Sequence, residues 1–70
     1  MSTVKVVTIG LGYIGLPTSA LIAQNGIQVH GVDINQQVVD TINKGKIHIV
    51  EPSLDVAVEE AVKKGFLKAD

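Results

Sequence analysis

The sequence predicts an α/β fold: a parallel sheet with helices packed on both faces. Three observations carry that prediction. A β-branched run, Val4 to Ile9, ends in three glycines, and an apolar segment at helical spacing follows at once. A second short apolar run, Ile27 to Asp33, closes on a carboxylate. Two later stretches then repeat apolar residues at helical spacing. Strand, glycine turn, helix, strand is the order of a β-α-β unit with parallel strands.

Met1 to Thr3 form a short lead, and the first strand covers about Val4 to Ile9. It is apolar at nearly every position, as a strand covered on both faces would be, with Lys5 near its start. Gly10, Gly12 and Gly15 follow in the spacing G-x-G-x-x-G. Each glycine has its own task in that pattern. Gly10 lets the chain leave the strand in a tight turn. Gly12 lets the backbone approach a pyrophosphate, and Gly15 lets the next helix pack close to the strand. The first N–H groups of that helix lack partners within it, and its dipole is positive there, so an anion is favoured. The pattern arises by chance in roughly one such chain in fifteen, so its context must decide. The strand directly before it and Asp33, about 20 residues on, supply that context, since a carboxylate there meets a ribose hydroxyl. The dinucleotide contacts expected from this pattern are therefore Gly10, Gly12, Gly15 and Asp33. A carboxylate at Asp33 repels a 2′-phosphate, and the chain has no arginine to offset it, which favours NAD over NADP.

The first helix is expected from about Tyr13 or Ile14 to Asn25, with Pro17 tolerated in its opening turns and Gly26 as its stop. Ile14, Thr18, Leu21 and Ile22 make one face, and Leu16, Ala20 and Ala23 make much of the rest apolar, so burial on most sides is expected. Strand two is Ile27 to Asp33, where Gly31 signals a close approach by backbone or ligand. Asn35 caps a second helix, Gln36 to Lys44, which buries Val38, Val39 and Ile42 and ends at Gly45. Lys46 to Val50 reads as a short extended piece ended by Glu51-Pro52. Ser53 caps a third helix, Leu54 to Lys64, whose stripe is Leu54, Ala57, Val58, Ala61 and Val62. Gly65 stops it, and Phe66 to Asp70 begins a new element. The expected order is β-α-β-α-(β)-α, an incomplete Rossmann-like sheet that breaks off before its third main strand.

Seventy residues bound this to one small domain with an aliphatic core, since Tyr13 and Phe66 are the only aromatics. A net charge of −1 argues against a nucleic-acid partner or an anionic membrane surface. No run approaches the length of a membrane span, and nothing resembles a signal peptide, so a cytoplasmic setting is expected. The absence of cysteine removes disulfides, thiolate metal sites and a cysteine nucleophile. His30 and His48 read as structural, with no second ligand at metal spacing, and Glu51 reads as a cap or loop brace. The residues alone leave open a stand-alone nucleotide-binding module or another dehydrogenase on the same fold.

The blocks G-L-G-Y-I-G-L-P (Gly10 to Pro17), G-V-D-I-N (Gly31 to Asn35) and I-N-K-G-K-I-H-I-V-E-P-S-L (Ile42 to Leu54) together resemble the UDP-glucose/GDP-mannose dehydrogenase family. The resemblance runs from Val4 to Ala69, and the I-H-I-V-E-P segment resembles one branch of the family. It implies a larger enzyme, of which this is the amino-terminal, NAD-binding part, with Leu11, Tyr13 and Ile14 joining Gly10, Gly12, Gly15 and Asp33 as cofactor contacts. Such enzymes oxidise a nucleotide-sugar alcohol to the acid with two NAD, supplying polysaccharide precursors. Their cysteine nucleophile and sugar contacts lie outside the part resembled, so no catalytic residue is expected here. The family also implies a homo-oligomer. Val38 departs from relatives acting on UDP-glucose, which often carry a basic residue there.

Overall fold

The computed structural model describes residues 5–70; the expected lead Met1 to Thr3 and the strand start at Val4 lie outside the described residues. The elements are β1 (Lys5–Ile9), α1 (Gly15–Gln24), β2 (Gln28–Val32), α2 (Gln36–Asn43), α3 (Leu54–Lys63) and β3 (Leu67–Ala69). The three strands form one parallel sheet in the order β1-β2-β3, with Val6 opposite Val29 and Val29 opposite Leu67.

Two helix ends follow the residues that predict them. Asn35 caps α2, its side chain accepting from the Gln37 N–H at 3.0 Å. At the end of α3, Gly65 takes φ +82°; its N–H donates to the Val62 carbonyl, and the Phe66 N–H donates to that of Ala61. That is a Schellman arrangement, and it turns the chain straight into β3.

Helices cover one face of the sheet among the described residues, not both as expected. Val29, Leu67 and Ala69 point to the helices and are buried, while Lys5, Val7, Ile9, Gln28 and Lys68 on the other face are exposed. Topology gives the reason. Both crossovers step in the same direction across the sheet, and right-handed crossovers then place their helices on the same side. There α3 packs against both α1 and α2.

Two further expectations change. Lys46 to Val50 is a loop rather than a strand, and it sends Ile47 and Ile49 into the core cluster. The third strand is instead β3, which begins at Leu67. Helix α1 buries Leu16, Ser19, Ala20 and Ala23, whereas Ile14 and Leu21 of the expected face are exposed. Its apolar residues lie on most sides, so periodicity could not choose the face. Small residues choose it, because they let the helix sit close to its neighbours. The core is aliphatic as expected, with Leu11, Leu16, Ile42 and Val58 fully shielded.

Candidate functional site

The turn between β1 and α1 lies at the carboxyl ends of the strands, where open α/β sheets place ligands. Its three glycines meet three different constraints. Gly10 takes φ +90°, a backbone region that disfavours any Cβ, and its N–H donates to the Val32 carbonyl at 2.7 Å. A Cβ on Gly15 would stand 1.8 Å from the Gly10 carbonyl oxygen, so the turn cannot close around a larger residue. A Cβ on Gly12 would meet no atom of the described residues within 4 Å. Packing does not demand that glycine, and its backbone faces outward.

Helical hydrogen bonding begins with the Leu16 N–H donating to the Gly12 carbonyl at 3.1 Å. The N–H groups of Tyr13, Ile14 and Gly15 therefore precede it, at the positive end of α1. Tyr13 and Ile14 are 72% and 83% exposed, so their side chains are not part of the core.

Asp33, just past β2, stands beside this turn. The Leu11 N–H donates to Asp33 Oδ2 at 2.9 Å, and the Asn35 N–H donates to Oδ1 at 2.9 Å. These two bonds, the Leu11 bond foremost, hold the Asp33 carboxyl below the usual carboxylate range; nearby His48 and the Ile34 N–H add smaller pulls, and partial burial opposes them. Each carboxylate oxygen keeps a lone pair beyond its backbone bond, so the group can accept from a pair of vicinal hydroxyls.

Leu11 contributes more than its N–H. Its side chain is fully shielded and fills the space over Gly31, where a Cβ would stand 2.5 Å from Leu11 Cδ2. The close approach at Gly31 comes from this side chain rather than from the backbone or ligand expected. Gly10, Leu11, Gly12, Tyr13, Ile14, Gly15 and Asp33 thus lie together around the turn as one candidate site.

His30 and His48 stand apart from it in different ways. His30 Nε2 pairs with Asp70 Oδ2 at 2.5 Å on the bare face of the sheet. His48 is exposed, and no group of metal-ligating residues forms among the described residues. The Glu51 side chain is exposed, while its carbonyl accepts from the Leu54 N–H. Ser53 does not cap α3 through its side chain; it sits at φ +66°, which swings the hydroxyl away from the helix N–H groups. Sequence reasoning did not single out Ser19 or Asn43. A serine in a mostly apolar helix, four residues after the last turn glycine, was the available signal for the first.

Parallel strands, an outward-facing glycine turn and a backbone-held carboxylate define a dinucleotide-binding β-α-β unit. Residues 4–70 match the family model described as the UDP-glucose/GDP-mannose dehydrogenase family, NAD binding domain, and the chain belongs to that family. It is 66% identical over 65 residues to a UDP-N-acetyl-D-mannosamine dehydrogenase of Campylobacter jejuni, covering 93% of this chain and 16% of the relative. It is 61% identical over 61 residues to an NDP-N-acetyl-D-galactosaminuronic acid dehydrogenase of Ralstonia nicotianae, covering 87% of this chain and 14% of the relative. Among solved structures, the UDP-N-acetyl-mannosamine dehydrogenase of Staphylococcus aureus superposes with a TM-score of 0.91 at 50% identity, over 94% of this chain and 16% of that one. The chain therefore spans about a sixth of the length of these relatives. No helix among the described residues is long and apolar enough to cross a membrane.

Proposed function

We propose that this chain is the amino-terminal part of the NAD-binding domain of a nucleotide-sugar dehydrogenase, one that oxidises UDP-N-acetyl-D-mannosamine to its uronic acid. The observation that carries the reading is the carboxylate of Asp33, fixed by the Leu11 N–H beside the open backbone of Gly12. That arrangement fits an adenosine ribose at Asp33 and a pyrophosphate over Gly12 to Gly15. Asp33 accepts the ribose hydroxyls and disfavours a 2′-phosphate. The Tyr13, Ile14 and Gly15 N–H groups face the diphosphate charge, and Gly10 and Gly15 keep the turn tight enough to aim them.

Bound NAD would supply the hydride acceptor. Oxidising a primary alcohol to an acid removes four electrons, so each turnover reduces two NAD. In this reading the chain binds and orients the cofactor, and none of its residues is assigned a catalytic role. The complete enzyme acts as a homo-oligomer in the cytoplasm and feeds polysaccharide assembly.

The match to the Ralstonia relative favours a second reading, in which the same domain serves another N-acetylated nucleotide sugar. One experiment separates them. The complete enzyme is titrated with NAD and with NADP, and NADH formation is followed with UDP-N-acetyl-mannosamine, UDP-N-acetyl-galactosamine and UDP-glucose. Two NADH per UDP-N-acetyl-mannosamine is expected. Turnover of the galactosamine sugar alone selects the second reading, and binding of neither dinucleotide rejects both.

A further inference from the structure

We propose that Ser19 is a positioning residue for the bound dinucleotide, acting through Gly15; the inference rests on the NAD-binding reading above. Ser19 is 0% exposed and is the one buried polar side chain among the described residues. Its Oγ lies 2.7 Å from the Gly15 carbonyl oxygen and 2.9 Å from Thr8 Oγ1. A serine hydroxyl carries one proton, and a carbonyl oxygen only accepts. Ser19 therefore donates to Gly15 and accepts from the Thr8 hydroxyl. The relay Thr8–Ser19–Gly15 runs from near the end of β1 to the first residue of α1.

Directionality is what this relay adds. The other buried residues of α1, Leu16, Ala20 and Ala23, are apolar, and their contacts position the helix less directionally than hydrogen bonds do. Gly15 also packs tightly against the turn itself, where a Cβ would stand 1.8 Å from the Gly10 carbonyl oxygen. The relay thus anchors Gly15, the last glycine of the turn, to the strand that carries the turn. The N–H groups of Tyr13, Ile14 and Gly15 keep their aim only while that residue stays put, and misplacement of a fixed dipole by a fraction of an ångström weakens its hold on an anion.

A serine that bonds back to the carbonyl four residues earlier can be a packing feature alone. The two roles predict different ligand profiles. In the complete enzyme, S19A, T8V and the double variant are compared for affinity to NAD, ADP-ribose and adenosine, with T8S as the variant that keeps the hydroxyl. Each single hydroxyl deletion is expected to weaken NAD and ADP-ribose by about fivefold, the size of one net hydrogen bond. Adenosine, which lacks the pyrophosphate, is expected to bind as in wild type. The double variant should be little worse than either single one, and T8S should match wild type. Equal weakening of all three ligands, or unchanged NAD affinity with a lower melting temperature, overturns the proposal. If S19A does not fold, the T8V and T8S pair decides by the same comparison. Failure of the wild-type enzyme to bind NAD would instead overturn the NAD-binding reading itself.

Discussion

Leu11 occupies the space that Gly31 leaves open in β2: a Cβ on Gly31 would stand 2.5 Å from Leu11 Cδ2 and 2.9 Å from its Cδ1. The contact joins strand to turn. It holds the side chain of the residue whose N–H binds Asp33, so packing and ligand geometry share one residue.

Gly31→Ala and Gly12→Ala should therefore behave differently. At Gly31 the new methyl presses on a fully shielded leucine, and overpacking of this kind costs about 1–3 kcal/mol. The displaced Leu11 should also weaken NAD binding. At Gly12 the methyl meets no described protein atom, so stability should stay within about 0.5 kcal/mol while NAD affinity falls. Denaturant melts of the complete enzyme with NAD titrations would show it. Loss of stability in Gly12→Ala with retained affinity would contradict the assignment of that glycine to the ligand.

The acid limb of stability should carry a contribution from Asp33. Its carboxyl is held below the ordinary range by the Leu11 and Asn35 N–H groups. A carboxyl whose folded pKa is depressed stabilises the fold fully above its unfolded value, about 3.9, and loses that contribution as pH falls through the lower folded value. Between pH 5 and 8, taken as roughly the neutral range, Asp33 should add no pH dependence. Below about pH 4 the melting temperature should fall, and Asp33→Asn should flatten that limb. A carboxyl-carbon NMR titration placing Asp33 at or above the ordinary value would contradict the bonding described. The same variant should lower NAD affinity by roughly tenfold or more, as expected for a charge-assisted bond.

Much of this was legible in the sequence because local rules and tertiary packing agree. Gly10, Gly15, Asn35, Gly45 and Gly65 mark their turns and caps by backbone requirements that act within a few residues. What stayed hidden depends on long-range partners. The buried face of α1 is set by where small residues meet the sheet and α3, and its composition is apolar nearly all round. Ile47 and Ile49 alternate like a strand, yet they enter the core from a loop, since alternation reports burial and not backbone pairing. The single covered face follows from the direction of both crossovers, which no local pattern encodes. Asp33 was visible as a carboxylate after a strand, whereas its grip by Leu11 needs the turn folded back against it.

Asn43 is expected to guard the outer edge of the sheet. Its Nδ2 donates to the Ala69 carbonyl at 2.8 Å, and its Oδ1 accepts from the Ala69 N–H at 2.9 Å. Ala69 sits in β3 and is 1% exposed, so both backbone groups depend on this side chain. Asn43→Ala should cost about 1–3 kcal/mol by leaving them unpaired. Asn43→Asp keeps the acceptor but sets a carboxylate oxygen against the carbonyl, so it should recover part of that loss at most. An uncovered edge also invites strand pairing between copies. Denaturant melts and light scattering of the complete enzyme would report both effects, and an unchanged melt in Asn43→Ala would show that water replaces the amide without loss.

Ser53 supplies the last test, because its backbone and its sequence conflict. It follows Pro52 and precedes α3 at φ +66°, the left-handed region, where a non-glycine residue costs about 1–2 kcal/mol. Its hydroxyl gives nothing back as a cap, since it makes no bond to the helix N–H groups. Ser53→Gly removes the strain but frees the unfolded chain, a loss of about 0.4–1 kcal/mol. The net change should be a gain of up to about 1 kcal/mol, whereas Ser53→Val, β-branched at the same φ, should destabilise. If Ser53→Ala, which keeps the Cβ at the same φ and removes only the hydroxyl, instead loses about 1 kcal/mol in a denaturant melt, as removal of a working N-cap does, the serine caps α3 in solution.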